Sequence, residues 1–411
     1  MTTHSSEIEN GRVELAVVGG GLAGLTLGIA CAGAGIRVAV IDREAPADML
    51  EVPFDGRSSA IAWGSRQVLE GIGVWDKLRG EAEPILEIRV ADQGSPLFLH
   101  YDHREVGDHP LGYIVENRVL RRALLERAAN LPGLSHLAPL SVEAAQPAAS
   151  HIAVKLSDGR SLRAELAVAA DGRNSPLRKA AGIRAVEWAY PQTGIVCTVR
   201  HENPHRGVAV EHFLDSGPFA ILPMTGNRSS IVWTERVEIA KRMMALNEAG
   251  FTAELARRFG DFLGKVQLEG PRWSYPLSLL HAERYSADRL ALLGDAAHAI
   301  HPIAGQGLNL GIRDVAALAE LIVDERRLGL DLGNPGLLER YTRRRRLDSV
   351  ALSAVTDGLN RLFSNSIEPV KTVRDLGLAL VDRLPPVKRL LMRHAMGVLG
   401  DQPRLVRGEP L

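Results

Sequence analysis

The stretch Val13 to Asp42 reads VELAVVGGGLAGLTLGIACAGAGIRVAVID, and it decides the fold. The apolar, β-rich run Leu15, Ala16, Val17, Val18 ends in three glycines, and an Ala/Leu-rich segment of helical character follows to about Ala34. A second strand-like run, Arg37 to Ile41, stops on Asp42. The order is therefore strand, turn, helix, strand. Gly19, Gly21 and Gly24 fill the glycine positions of G-x-G-x-x-G. The first allows the tight turn, the second admits a pyrophosphate to the backbone, and the third lets helix and strand pack. Asp42, at the end of the second strand, is placed to accept hydrogen bonds from an adenosine ribose. Three glycines alone also fit a βα turn without a ligand, but strand, helix and acid in register point to a bound dinucleotide. This stretch does not decide which one.

A chain of 411 residues suggests two packed domains of unequal size, and 45% hydrophobic residues supply a sizeable core. Lys+Arg and Asp+Glu both number 49, so no global charge recruits nucleic acid. Cys31 and Cys197 stand alone in sequence and form no CxxC, which argues against a metal site or a disulfide framework and fits a reducing cytoplasm. Met1 to Gly11 is polar, and no run reaches the length of a membrane span, so the expectation is a soluble or at most peripheral protein.

Outward from the fingerprint, Asp55-Gly56-Arg57-Ser58-Ser59 opens an expected helix through Ala60 to Gly71. Arg57 beside a helix N-terminus can meet a phosphate or form a plain surface salt bridge. Leu86 to Ala91 and Leu97 to Tyr101 read as strands, and Glu116 to Ala129 as a helix with Arg118 near its start. Residues 151 to 170 read as two strands around a Ser157-Asp158-Gly159 turn, the second running into Asp171-Gly172. An acid and a glycine at a strand's carboxyl end lie where open α/β sheets bind ligands.

From Gly194 to about Glu235 the hydrophobic period becomes two, giving an antiparallel sheet that would wall a bulky, largely apolar substrate. Glu238 to Phe259 follows as one expected helix. Leu290 to Leu293 is a short buried strand ending in Gly294-Asp295, followed by a glycine-rich turn with Gly305 and Gly307 and a helix from about Leu308 to Arg326. The tract Arg343 to Arg346 reads as a solvated helix face. Near the carboxyl terminus, Val373, Leu376, Leu380 and Leu384, then Val387, Leu390, Leu391 and Val398, form an apolar helical stripe broken by Pro385-Pro386. Lys388, Arg389 and Arg393 lie among them. Such helices either close a core or dock on an anionic membrane or a partner.

Three motifs occur in order: GxGxxG at 19 to 24, Asp171-Gly172, and Gly294-Asp295. With them the chain resembles the single-component, FAD-dependent aromatic hydroxylases related to para-hydroxybenzoate hydroxylase. His301-Pro302-Ile303-Ala304-Gly305-Gln306-Gly307-Leu308-Asn309-Leu310-Gly311, followed by Asp314 and supported by DGRSSAIAWGS at 55 to 65, resembles the signature of the ubiquinone-biosynthesis hydroxylases. Asp42 stands where many relatives carry Glu; either carboxylate can hold a ribose.

The resemblance implies an α/β protein: a Rossmann-like FAD-binding domain (1–84, 112–186, 288–370), an inserted antiparallel-sheet substrate domain (85–111, 187–287) and carboxyl-terminal amphipathic helices (371–411). It implies that Gly19, Gly21 and Gly24 face the FAD pyrophosphate and that Asp42 faces the ribose. Arg57 and Arg118 would touch FAD, Asp295 would hold its ribityl or pyrophosphate region, and Gly305, Gln306, Gly307, Leu308 and Asn309 would bring backbone N–H groups to the flavin. Asp171 would act between FAD and the nicotinamide donor, less directly.

The implied reaction takes electrons from NADH or NADPH and hydroxylates a polyprenylated phenol with O2 through a flavin C4a-hydroperoxide. No metal is implied. His298, His301 and Pro302 lie near the expected flavin, but a histidine beside a glycine-rich turn more often anchors a loop than acts as a base. The halogenase motif WxWxIP is absent. Other hydroxylase substrates, an isoprenoid-chain reductase and a non-catalytic FAD subunit stay open. A quinone-biosynthesis complex and the inner face of the membrane are the expected partners of a cytoplasmic protein.

Overall fold

The computed structural model describes residues 11–51, 56–92, 98–300, 305–363 and 381–411. The strand Arg12–Val18 lies at the centre of the first sheet, parallel to Val38–Ile41 on one side and Ser161–Ala169 on the other. Leu134–Leu137 and Leu290–Leu292 extend the parallel set outward. Leu15, Ala16 and Val17 are wholly buried, as expected of a strand covered on both faces. The helix Leu22–Gly33 packs between Asn117–Ala129 and Gln306–Arg327. Because these strands are parallel, Val18, Ile41, Ala169 and Leu292 all end along one edge. The glycine fingerprint, Asp42, Asp171-Gly172 and Gly294-Asp295 follow those four ends, so the topology alone gathers motifs spread over 277 positions of chain, from 19 to 295.

The second sheet has eight strands, and its longest are Ala185–His201 and Val266–Ala282. One face carries Ile195, Cys197, Ile231 and Trp233, packed against Phe251 and Leu255. The expected single helix over Glu238 to Phe259 is instead two, Val237–Ala245 and Glu248–Phe259. Leu246 adopts an extended conformation, and the Asn247 side chain accepts a 2.8 Å hydrogen bond from the Gly250 N–H, capping the second helix. The strand Val266–Ala282 was not expected from sequence. Gly270, Pro271 and Pro276 interrupt its alternation, and the register with Ala185–His201 shifts there twice.

A three-stranded sheet of Ser58–Ala62, Gly112–Glu116 and Glu83–Ile85 lies apart from both. The helix expected over Ala60 to Gly71 is thus a strand followed by the helix Trp63–Gly71. Backbone pairing with Gly112–Glu116 overrides local helical preference at Ala60 and Ala62. Of the arginine tract in the helix Pro335–Phe363, Arg343 is exposed, but Arg345 is buried and paired with Asp314. The helical period turns one of four consecutive arginines inward.

Val373, Leu376 and Leu380 of the expected carboxyl-terminal stripe lie outside the described residues. The helix Pro385–Ala395 buries Met392, and Met396 just beyond it joins the same cluster with Ile85, Leu111 and Ile114. Lys388 also points inward, its Nζ 2.8 Å from Glu105 and 3.2 Å from Asp382. Val387, Leu390 and Leu391 remain exposed beside Arg389 and Arg393. No helix among the described residues is long and apolar enough to cross a membrane.

Candidate functional site

The three fingerprint glycines do not all serve the same end. Gly19 has φ +110°, and a Cβ there would lie 2.2 Å from the Ala170 carbonyl oxygen. A Cβ on Gly24 would lie 1.9 Å from the Gly19 carbonyl oxygen. Both are glycines because the protein's own backbone comes too close. A Cβ on Gly21 would meet nothing within 4 Å. Gly21 is also the N-cap of Leu22–Gly33 and offers no side-chain hydrogen bond to the helix's first N–H groups. An uncapped, positively polarised helix end therefore opens onto free space.

Asp42 closes against this loop. Its Oδ1 accepts a 2.9 Å hydrogen bond from the Glu44 N–H, and a Cβ on Gly20 would strike its Oδ2 at 2.5 Å. Asp171 sits beside the same loop, with Oδ2 accepting from the Leu177 N–H at 3.2 Å. Its Oδ1 is buried without a hydrogen-bond partner among the described residues. Burial raises the Asp171 carboxyl above the ordinary carboxylate range, despite its bonds to Ser175 and Leu177. The buried Arg178 guanidinium donates to the Ala296 carbonyl at 2.8 Å, tying this corner to the Gly294-Asp295 turn.

Asp295 is exposed, yet burial raises its carboxyl too, with His298 and Arg173 only partly opposing it. A side chain open to solvent but surrounded by protein mass lines a recess. Beneath it, Asp314 accepts from the Gly294 N–H at 3.2 Å, meets His298 Nε2 at 2.6 Å and receives Arg345 Nε at 2.7 Å. Burial alone would raise Asp314, but His298 and Arg345 outweigh it and hold the carboxyl low. His298 is thus buried and committed to Asp314, an anchor of the turn. His301 and Pro302 lie outside the described residues.

Gly305, at φ +61°, is the N-cap of the 22-residue helix Gln306–Arg327 and again provides no side-chain cap. A Cβ on Gly307 would meet nothing within 4 Å, so this helix end also opens onto space, flanked by the half-buried Gln306 and Leu308. Asn309 is spent on structure: Oδ1 accepts from the Ala62 N–H at 2.8 Å, and Nδ2 donates to the Ala60 carbonyl at 2.8 Å. The strand Ser58–Ala62 thereby holds the helix end in place.

Arg57 and Arg118 are brought together, since the Asn117 N–H donates to the Arg57 carbonyl at 3.0 Å. Arg118 Nε lies 2.7 Å from Glu116, whose other oxygen takes Arg228 of the second sheet at 2.9 Å. The roles of Glu116 and Arg228 and the pairing of Asp314 with Arg345 escaped the sequence reading, although Asp314 itself follows the 301–311 signature. Each of these contacts joins segments far apart in the chain.

Two uncapped helix ends opening onto free space and an acid at each of three strand ends define a dinucleotide-binding α/β protein. The FAD binding domain family matches residues 12–355. "Ubiquinone hydroxylase UbiL" of Rhodospirillum rubrum is 54% identical over 401 residues, covering 97% of this chain and 93% of that protein. "3-demethoxyubiquinol 3-hydroxylase" of Escherichia coli is 34% identical, covering 95% of this chain and 100% of that one. The solved structure of p-nitrophenol 4-monooxygenase PnpA from Pseudomonas putida superposes with a TM-score of 0.79 at 20% identity, covering 95% of this chain and 99% of that one. The chain belongs to the ubiquinone-biosynthesis hydroxylase family of FAD-dependent monooxygenases and is an aromatic hydroxylase.

Proposed function

We propose that the protein hydroxylates the ring of a polyprenylated phenol on the route to ubiquinone, using NADH or NADPH and O2. The observation that carries this reading is the face of the second sheet turned away from Phe251 and Leu255. Trp273 and Tyr275, on the level of Val196 and Gly194, remain 46% and 38% exposed there. Two residues along, Thr198 Oγ1 donates to the Gly56 carbonyl at 3.2 Å, so this apolar face adjoins the strand that holds the Gln306–Arg327 helix end. An apolar wall beside a cofactor recess suits a ring with a hydrocarbon tail. The names of the two relatives support the same substrate class.

The residues fit FAD. The uncapped turn at Gly21 would take the pyrophosphate, with Gly19 and Gly24 shaping it and Asp42 holding the ribose. Asp295 would bind the ribityl or pyrophosphate region, Arg57 and Arg118 would reach the cofactor, and the orphaned Oδ1 of Asp171 would find its partner at the cofactor's edge. Backbone N–H groups of residues 306–309 would face negative charge developing on the isoalloxazine pyrimidine edge, where a helix N-terminus is most favourable. When bound, FAD supplies the redox chemistry, accepting two electrons from the nicotinamide and passing one oxygen atom of O2 to the ring. The chain's own part is to orient the ring, exclude water and hold charge.

The exposed Val387, Leu390 and Leu391 with Arg389 and Arg393 support docking on an anionic membrane, where a polyprenylated phenol dissolves. The test of the whole reading is the purified flavoprotein given 2-prenylphenol, NAD(P)H and O2. A hydroxylated product in proportion to nicotinamide oxidised is expected; oxidation without any hydroxylated product overturns the reading.

A further inference from the structure

On the apolar wall one carboxyl is out of place. Glu211 lies on the strand Val208–Leu214, directly opposite Ala220 and Val90. The same cross-strand level continues through Val232 and Val196 to Trp273, so the carboxyl is set into a row of apolar side chains. Its neighbours on the strand fix which way it points. Val208 and Val210 pack into the cluster under the two helices, whereas Ala209 packs with Ile85 and Met224 on the other side. Glu211 alternates with Ala209 and therefore stands on the open face, in line with Trp273.

Glu211 makes no hydrogen bond or ion pair among the described residues. Arg228, four positions along the strand from Val232, is held by Glu116 and Glu269. Asp92 lies opposite Phe213, one level away. Burial alone moves the Glu211 carboxyl up to about 7. A half-buried carboxyl with no partner is costly in an apolar wall, and the cost is relieved when a polar group arrives there.

We propose that Glu211 recognises the phenol hydroxyl of the substrate and accepts its proton. The inference rests on the phenol reading above. In the transfer the phenol O–H bond breaks and its electron pair stays on the phenol oxygen. The proton forms the O–H of the Glu211 carboxylic acid. The ring becomes more electron-rich at the carbons that receive oxygen. A carboxylate whose proton affinity has been raised is a better base for a phenol than an ordinary surface glutamate. A prenyl tail beyond the ring would lie along Ala220, Val232 and Val196 toward Trp273.

The experiment uses the FAD-loaded protein with 2-prenylphenol and its methyl ether, which lacks the hydroxyl proton. The parent should bind the phenol about tenfold or more tightly than the ether, as for a hydrogen bond to a charged group. Glu211→Leu should abolish that preference and lower hydroxylated product per nicotinamide oxidised, at unchanged FAD content and melting temperature. Glu211→Gln should keep part of the binding preference and lose turnover, and Glu211→Asp should recover turnover in part. If Glu211→Leu keeps both the phenol preference and the product yield of a competent parent, the assignment of Glu211 is overturned while the phenol reading stands. If the parent itself neither prefers nor hydroxylates the phenol, both are overturned.

Discussion

The carboxyl edge of the parallel sheet and the open face of the antiparallel sheet are linked through the segment Gly56 to Ala62, which Thr198 meets at one end and Asn309 at the other, and they use side chains in opposite ways. Along the edge, the proposed cofactor site would rest mainly on backbone: glycines and uncapped helix ends, with Asp42 and Asp171 each held by a backbone N–H a few residues further along the chain. On the face, the proposed substrate site would rest on a row of apolar side chains with the Glu211 carboxyl set into it. A backbone site allows few sequences, because a Cβ at the wrong glycine strikes a carbonyl. An apolar wall allows many, because volume and polarity matter more than identity.

The comparison breaks most sharply at two glycines of one motif. Gly24→Val drives side-chain atoms into the Gly19 carbonyl and should leave no cooperatively folded protein. Gly21→Val has room, so it should fold with near-parental circular dichroism yet bind little FAD. A folded Gly21→Val variant with full flavin absorbance would show that the open space at Gly21 does not serve the cofactor.

Next in size is the buried support beneath Asp295. Asp314→Ala leaves His298 and Arg345 without their shared carboxylate and should cost about 3–5 kcal/mol, read as a lower denaturant midpoint. The same group sets a pH dependence. Its carboxyl is held below its unfolded value, so its contribution is complete above about pH 4 and is lost as pH falls through the lower folded value. Asp314→Asn should therefore flatten the acid limb of the stability profile; an unchanged acid limb would place the titration elsewhere.

Glu116→Gln tests the junction between the two regions. It weakens the hold on Arg118 and Arg228 together and should cost about 1–2 kcal/mol, with a modest loss of FAD affinity. Loss of stability with unaltered flavin affinity would confine Glu116 to a bracing role. The smallest effect on stability is expected at Leu390→Ser, within about 0.5 kcal/mol because the side chain is exposed. The same change should reduce flotation with anionic vesicles, and equal flotation would remove the docking proposal.

The edge was legible in the sequence because backbone requirements leave a fixed mark: Gly19, Gly21, Gly24, Asp42, Asp171 and Asp295 follow strands whose apolar runs are plain. The face was legible only as a period of two. Nothing local distinguishes Glu211 from a solvated glutamate on an alternating strand, and Pro271 and Pro276 hid the strand that carries Trp273. His298 drew notice for its place in a motif, whereas Arg345, which shares the Asp314 carboxylate with it, was read with three neighbours as a solvated face.

The sequence by itself determined the parallel α/β framework, the class of cofactor and the family, because each depends on residues close in the chain and on a regular period. Tertiary structure alone decided which arginine of four turns inward, that Asn309 holds the strand Ser58–Ala62, and that Glu211 stands in an apolar row. Those outcomes depend on which distant segments share a sheet level or a helix face, and pairings of that kind leave no local signal in the residues that make them.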